Sequence, residues 1–165
     1  LAFVHNMLVG FGIRQHIKVI ASGKILSGFH ILRAMALGAD GCNSARAMMM
    51  ALGCIQALLC NTNRCPTGIT TQDPQLTVGL VVEDKKHRVA NYHEDTVKSF
   101  VELLGAAGLE DMKQLTRSHI YRRVFMNEVR TFEDVFPSLQ PGCLLNGNIP
   151  EKYKQDIEAA SADRW

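Results

Sequence analysis

Three cysteines constrain this chain more than any other feature. They stand in the run Cys54-Ile-Gln-Ala-Leu-Leu-Cys60-Asn-Thr-Asn-Arg-Cys65-Pro66, at spacings of six and five residues. An apolar, helix-forming stretch, Ile55 to Leu59, separates the first pair, and a polar loop, Asn61 to Arg64, separates the second. A helix end feeding a tight loop aims three sulfurs at one point. Thiolates are the preferred ligands of iron–sulfur clusters, and a proline directly after the last ligand occurs in the bacterial ferredoxin run. Three ligands rather than four suit a cluster of three irons. Other readings stand beside this one. The cysteines could be half of a zinc site, although zinc wants four ligands and a closer pair. They could be disulfide partners, although nothing marks a secreted chain. They could be ordinary small apolar residues.

The totals narrow the classes. A chain of 165 residues, 47% hydrophobic and 21% charged, can build one domain with a real core. Its net charge of +2 is too small to argue for nucleic acid or an anionic membrane. No apolar run reaches the roughly 18 residues that span a bilayer. The first ten residues lack a basic start and a cleavage site, so they do not read as a signal peptide. Five cysteines, an odd number without a regular framework, fit a reducing compartment, and a cytoplasmic setting is expected. The chain starts at Leu1, inside an expected helix, and reads as a piece of a longer protein.

The pattern along the chain predicts a helix over residues 1–10, stopped by Gly10 and Gly12. A buried strand follows at Ile17 to Ala21, then a turn at Ser22-Gly23-Lys24. Ser27 is the expected N-cap of a helix through Leu37, with Gly38 as its stop. Ala39 to Ser44 reads as a second strand. Ala45 to Leu52 reads as a Met-rich helix packed inside. Strand, helix, strand, helix with short connections is the signature of parallel βα units. Farther on, Glu83 to Ala107 is the longest helix, with Val89, Tyr92, Val97, Phe100, Val101 and Leu104 as its apolar stripe. A shorter basic helix is expected over Arg117 to Glu128, with His119, Arg122 and Arg123 on a solvated or interface face. The last helix is expected from Pro150 to Ala162. Residues 1–80 thus read as βα units with the cysteine loop, and 81–165 as a helical extension of the same domain.

Two turns offer a place for phosphate. In parallel barrels a phosphate commonly sits on the loops after the last two strands. Ser22-Gly23-Lys24 provides a glycine for close backbone approach and a cation. Ser44-Ala45-Arg46 provides N–H groups and a guanidinium suited to phosphate oxygens. The second turn leads through a single helix into Cys54, so a phosphate-bearing redox cofactor beside an iron–sulfur cluster makes a coherent electron path.

The runs Ile17 to Gly28, Ala36 to Arg46, and Ala51 to Cys54 continuing through Cys65-Pro-Thr-Gly-Ile-Thr-Thr-Gln-Asp73 resemble the synthase domain of glutamate synthase. The likeness is nearest to the stand-alone, FMN-binding type. It implies an α/β fold in which this chain supplies the last two βα units of a TIM (β/α)8 barrel plus a mostly helical C-terminal extension. It implies FMN and a 3Fe-4S cluster, with Cys54, Cys60 and Cys65 as ligands. Gly23 and the Ala45-Arg46 turn match the family's FMN phosphate loops. The larger enzymes often carry an acidic residue and paired glycines at Ser22-Gly23-Lys24, and a Gly-Thr pair at Ala45-Arg46. Donor atoms particular to this chain are therefore expected there.

The resemblance further implies reductive amination. Ammonia, free or derived from glutamine, and 2-oxoglutarate give an imine, and reduced FMN delivers hydride to it. Electrons would come through the cluster from ferredoxin or an NADPH-dependent partner. Catalytic residues would lie on earlier strands, so none is assigned here. His30 and His93 read as packed or solvated. Two alternatives remain: a flavin and iron–sulfur electron-transfer module without glutamate chemistry, and a structural zinc protein. In the zinc reading Cys42, expected in a strand, or Cys143, expected in a turn, supplies a fourth ligand. Two βα units expose strand edges, so the piece is expected to be poorly stable alone.

Overall fold

The computed structural model describes residues 1–160 and 163. Helix α1 spans Ala2–Gly10, and a 3-10 turn, Arg14–His16, leads into strand β1, Ile20–Ser22. Helix α2, Gly28–Ala36, crosses to strand β2, Gly41–Asn43, and helix α3, Arg46–Leu52, follows. Beyond the cysteine run come α4, Pro74–Thr77, and α5, Val82–Ala106. Two further 3-10 turns precede strands β3, Tyr121–Phe125, and β4, Glu128–Thr131, then α6, Phe132–Val135, and α7, Glu151–Ala159.

Strands β1 and β2 pair in parallel, Ile20 with Gly41, Ala21 with Cys42 and Ser22 with Asn43. With α2 between them they form the expected βα repeat. The first strand begins three residues later than the sequence pattern predicts. The cause is a polar clasp: Arg14 donates to the Ile17 carbonyl at 2.7 Å, and the Asp40 carboxylate accepts the Val19 N–H at 2.7 Å. The backbone before Ile20 is thereby engaged outside the ladder.

The core lies where α2 packs on α5. Leu32 and Ala36 meet Phe100, Leu104, Leu115, Ile120 and Phe132 in one buried cluster. Gly28 lets the two helices touch, since a Cβ there would stand 2.5 Å from the Phe100 nitrogen. Along α5 the face turned inward differs from the expected stripe. Phe100 and Leu104 are buried, Val89 and Tyr92 half-buried, whereas Val97 and Val101 are exposed. The Tyr92 hydroxyl donates to the Leu26 carbonyl at 2.7 Å and ties α5 to the turn before α2. In α3 only Ala47 is buried, so the Met-rich helix is half covered rather than internal.

Two expected helices are not helices. Ile55 to Leu59 forms an irregular loop, described below. The stretch Arg117 to Glu128 holds a 3-10 turn and most of an antiparallel hairpin, closed by the two residues Met126 and Asn127 between Phe125 and Glu128. Tyr121, Val124, Phe125 and Val129 favour an extended, half-covered surface, which outweighs the basic residues' helix preference. Among the described residues the extension keeps more helix than strand, with this hairpin inserted in it. His119, Arg122 and Arg123 are exposed, as expected of a solvated face, whereas Arg117 at its edge is 3% exposed. The last helix covers Glu151–Ala159, and Ala162, its expected end, lies outside the described residues. No helix among the described residues is long and apolar enough to cross a membrane.

Candidate functional site

Because β1 and β2 run parallel and in register, their C-terminal ends emerge side by side. The turns Ser22-Gly23-Lys24 and Ser44-Ala45-Arg46 therefore lie at one edge. The Ser44 hydroxyl donates to the Ile25 carbonyl at 2.7 Å, fastening one turn to the other. That proton is thus engaged by the protein, and Ser44 is a brace more than a ligand donor. Gly23 and Lys24 both have positive φ, 104° and 56°. Ser22, Gly23, Lys24, Ala45 and Arg46 are exposed. Neither Lys24 nor Arg46 makes an ion pair among the described residues. Two free cations and the unpaired N–H groups at the start of α3 suit an anion.

Helix α3 joins this edge to the cysteines. Gly53, at φ 115°, reverses the chain at the end of α3, and the Cys54 N–H closes back on the Met49 carbonyl at 2.9 Å. A left-handed residue at that position is the ordinary helix terminator, and glycine adopts it without penalty. From there the loop is irregular. Gln56, Leu58 and Asn63 all take positive φ, a conformation that costs a side-chain-bearing residue about 1 kcal/mol each. Ile55 and Leu58 are exposed. The expected helix is absent because local propensity is overridden by these turns.

The second half of the loop is stitched to the segment that follows it. Asn63 accepts from the Thr71 hydroxyl at 2.6 Å through its carbonyl, and from the Gln72 N–H at 2.7 Å through its side chain. This folds residues 67–72 back beside the cysteines. Cys54, Cys60 and Cys65 consequently line one small recess, together with Ile55, Pro66 and Thr67. All three are free thiols, Cys60 exposed and the other two half-buried.

The recess is polar toward sulfur. The Gln56 N–H points at Cys54 Sγ at 3.4 Å, and the Thr67 hydroxyl lies 3.3 Å from Cys65 Sγ. The Thr67 hydroxyl first, then the Thr70 backbone N–H, hold the Cys65 thiol down to about 6. Cys65 is thus a thiolate at neutral pH, the form that binds metal. Thr70 Oγ1 is buried without a hydrogen-bond partner. Sequence reading assigned neither threonine a role; their places two and five residues beyond Cys65 were the available signal.

Among the described residues no three His, Cys, Asp or Glu side chains are gathered tightly enough for a single metal ion. Four thiolates on one zinc stand about 2.3 Å from it, which forces the sulfurs close together. Ligands of a cluster attach to different irons and stand farther apart. Cys42 lies in β2 against Ile25 and Ala39, and Cys143 lies in the turn before α7, so neither joins the recess as a fourth ligand. The donor set in the recess is therefore three free thiols, with no fourth cysteine lining it. His30 accepts from the Leu26 N–H and meets the Ser27 hydroxyl at 3.0 Å, so it is a packed residue; His93 is exposed.

Comparison with known proteins bears on the same region. Residues 1–110 match the family model described as the conserved region in glutamate synthase. This chain belongs to the glutamate synthase family. It is 43% identical over 123 residues to the glutamate synthase large subunit-like protein YerD of Bacillus subtilis, covering 74% of this chain and 23% of that protein. It is 40% identical over 115 residues to the archaeal glutamate synthase [NADPH] of Methanocaldococcus jannaschii, covering 70% and 22%. It is 29% identical over 132 residues to ferredoxin-dependent glutamate synthase 1 of Arabidopsis thaliana, covering 79% and 8%. The chain thus spans less than a quarter of the length of these glutamate synthase relatives. The matched residues of the family model include both turns and the whole cysteine loop.

Proposed function

We propose that this chain is the cofactor-holding end of a glutamate synthase-type oxidoreductase, built as the last two βα units of a TIM barrel. The observation that carries this reading is spatial. One helix connects a cationic edge at the ends of two parallel strands to a recess lined by three cysteines.

Each residue then has a task. The N–H groups of Gly23, Lys24, Ala45 and Arg46, with the Lys24 and Arg46 side chains, would hold the FMN phosphate. Ser22 shapes the first turn, and Ser44 fastens it to the second. Cys54, Cys60 and Cys65 would hold a 3Fe-4S cluster, and α3 would join it to the phosphate-holding edge. When bound, FMN supplies hydride chemistry toward 2-oxoglutarate and ammonia, and the cluster supplies one-electron transfer from ferredoxin or an NADPH-dependent partner. The protein's share is to bind, orient and screen these groups. Support comes from the family membership, the free cations and the thiolate character of Cys65.

The test is analytical. The full-length protein, purified anaerobically or reconstituted with iron and sulfide, should carry three irons, acid-labile sulfide and one FMN per chain. Flavin reoxidation should depend on 2-oxoglutarate and ammonia. Zinc without sulfide, or a colourless product after reconstitution, would refute the proposal. Both cofactors with no response to 2-oxoglutarate would instead identify an electron-transfer module.

A further inference from the structure

We propose that the Thr67 and Thr70 hydroxyls are positioning residues that set the reduction potential of the iron–sulfur centre through the Cys65 sulfur. The inference rests on the cluster reading above and adds a role for residues outside the ligand set.

The geometry is lopsided. Cys54 receives one backbone N–H at 3.4 Å. Cys65 has the Thr67 hydroxyl at 3.3 Å, and the Thr70 backbone N–H faces the same sulfur. The Thr70 hydroxyl is the one buried side-chain polar atom among the described residues that lacks a partner. Such an orphan costs about 1–3 kcal/mol. A neutral thiol is a weak acceptor and leaves that cost standing. A sulfur bound to iron carries negative charge and accepts strongly, so the orphan finds its partner when the centre is assembled. Thr71, one residue on, is turned to Asn63 and fixes this segment against the loop.

Hydrogen bonds to cluster sulfurs favour the electron-richer state and raise the potential. The step concerned is the uptake of one electron by the oxidised cluster from a one-electron reductant, with no protein bond formed or broken. Removing a hydroxyl therefore lowers the midpoint.

The experiment is an EPR-monitored dithionite titration of full-length wild type, Thr67→Val, Thr70→Val and Thr70→Ser, with iron and sulfide determined on each. Both valine variants should titrate at lower potential. The expected size is up to tenfold in the reduced-to-oxidised ratio, ~59 mV for one electron. Thr70→Ser should restore the wild-type midpoint. Unchanged midpoints in loaded variants overturn the inference while leaving the cluster assignment intact. A wild type that binds no cluster overturns both. If Thr70→Val fails to load, Thr67→Val and Thr70→Ser decide: a lowered and an unaltered midpoint respectively support the inference, and any other pair refutes it.

Discussion

Asn6 is 1% exposed, and its amide is fully used. It donates to the Pro137 carbonyl at 2.8 Å and to the Tyr153 hydroxyl at 2.7 Å, and it accepts from Arg117 at 2.8 Å. Arg117 also donates to the Phe136 carbonyl. A guanidinium buried among neutral acceptors is tolerated only while all of them are in place. Asn6→Leu should destabilise the protein by about 3 kcal/mol, since it strands a charged donor and a phenol. Urea unfolding followed by circular dichroism measures this, and a change under 1 kcal/mol would contradict it. Asp40 gives a pH prediction. The Val19 N–H, then Arg14, hold its carboxyl below its ordinary value of 3.8. A lowered folded pKa contributes stability that is present above 3.8 and lost as pH falls past it. Asp40→Asn should therefore lower the melting temperature at pH 7 and make little difference at pH 2. Equal deficits at both would show that its charge is irrelevant.

At the scale of elements, the α2–α5 crossing depends on the missing side chain of Gly28. Gly28→Ala should cost about 2 kcal/mol, because the new methyl meets α5 backbone and not a side chain that could swing away. A thermal or urea transition at the wild-type midpoint would show that the helices slide apart freely. The same scale shows what could be read in advance. The βα repeat was legible because Ser22-Gly23-Lys24 and Asn43-Ser44 punctuate short β-branched or small-residue runs. The cysteine recess was legible from spacing. The loop's shape was not, since Ile55 to Leu59 has good helix propensity and nothing local announces left-handed Gln56 and Leu58. The hairpin was missed for a related reason. Arginines at 122, 123 and 130 disguise alternating strand formers. Arg117 carried no mark distinguishing a buried cation from a solvated one, because its acceptors at Asn6 and Phe136 are remote in sequence.

At the scale of the molecule, the parallel sheet has two strands and two open edges among the described residues. Ile20 in β1 is 61% exposed, and Tyr121 and Phe125 of the hairpin are comparably bare. These bare apolar side chains are a surface for association. Residues 1–165 by themselves should self-associate and bind a hydrophobic dye such as ANS. Sedimentation as a monomer with one cooperative unfolding transition and no dye response would contradict that expectation.

The bond between Asn6 and Tyr153 closes a circuit of 147 residues. During synthesis α1 leaves the ribosome long before α7 exists. Helix α1 therefore waits, half-assembled and open to chaperones or proteases, until α7 is released. The stitch between α1 and α7 makes assembly of this region wait for α7, so a nascent chain stopped short of Tyr153 should be open to cleavage within residues 2–10 under brief proteolysis.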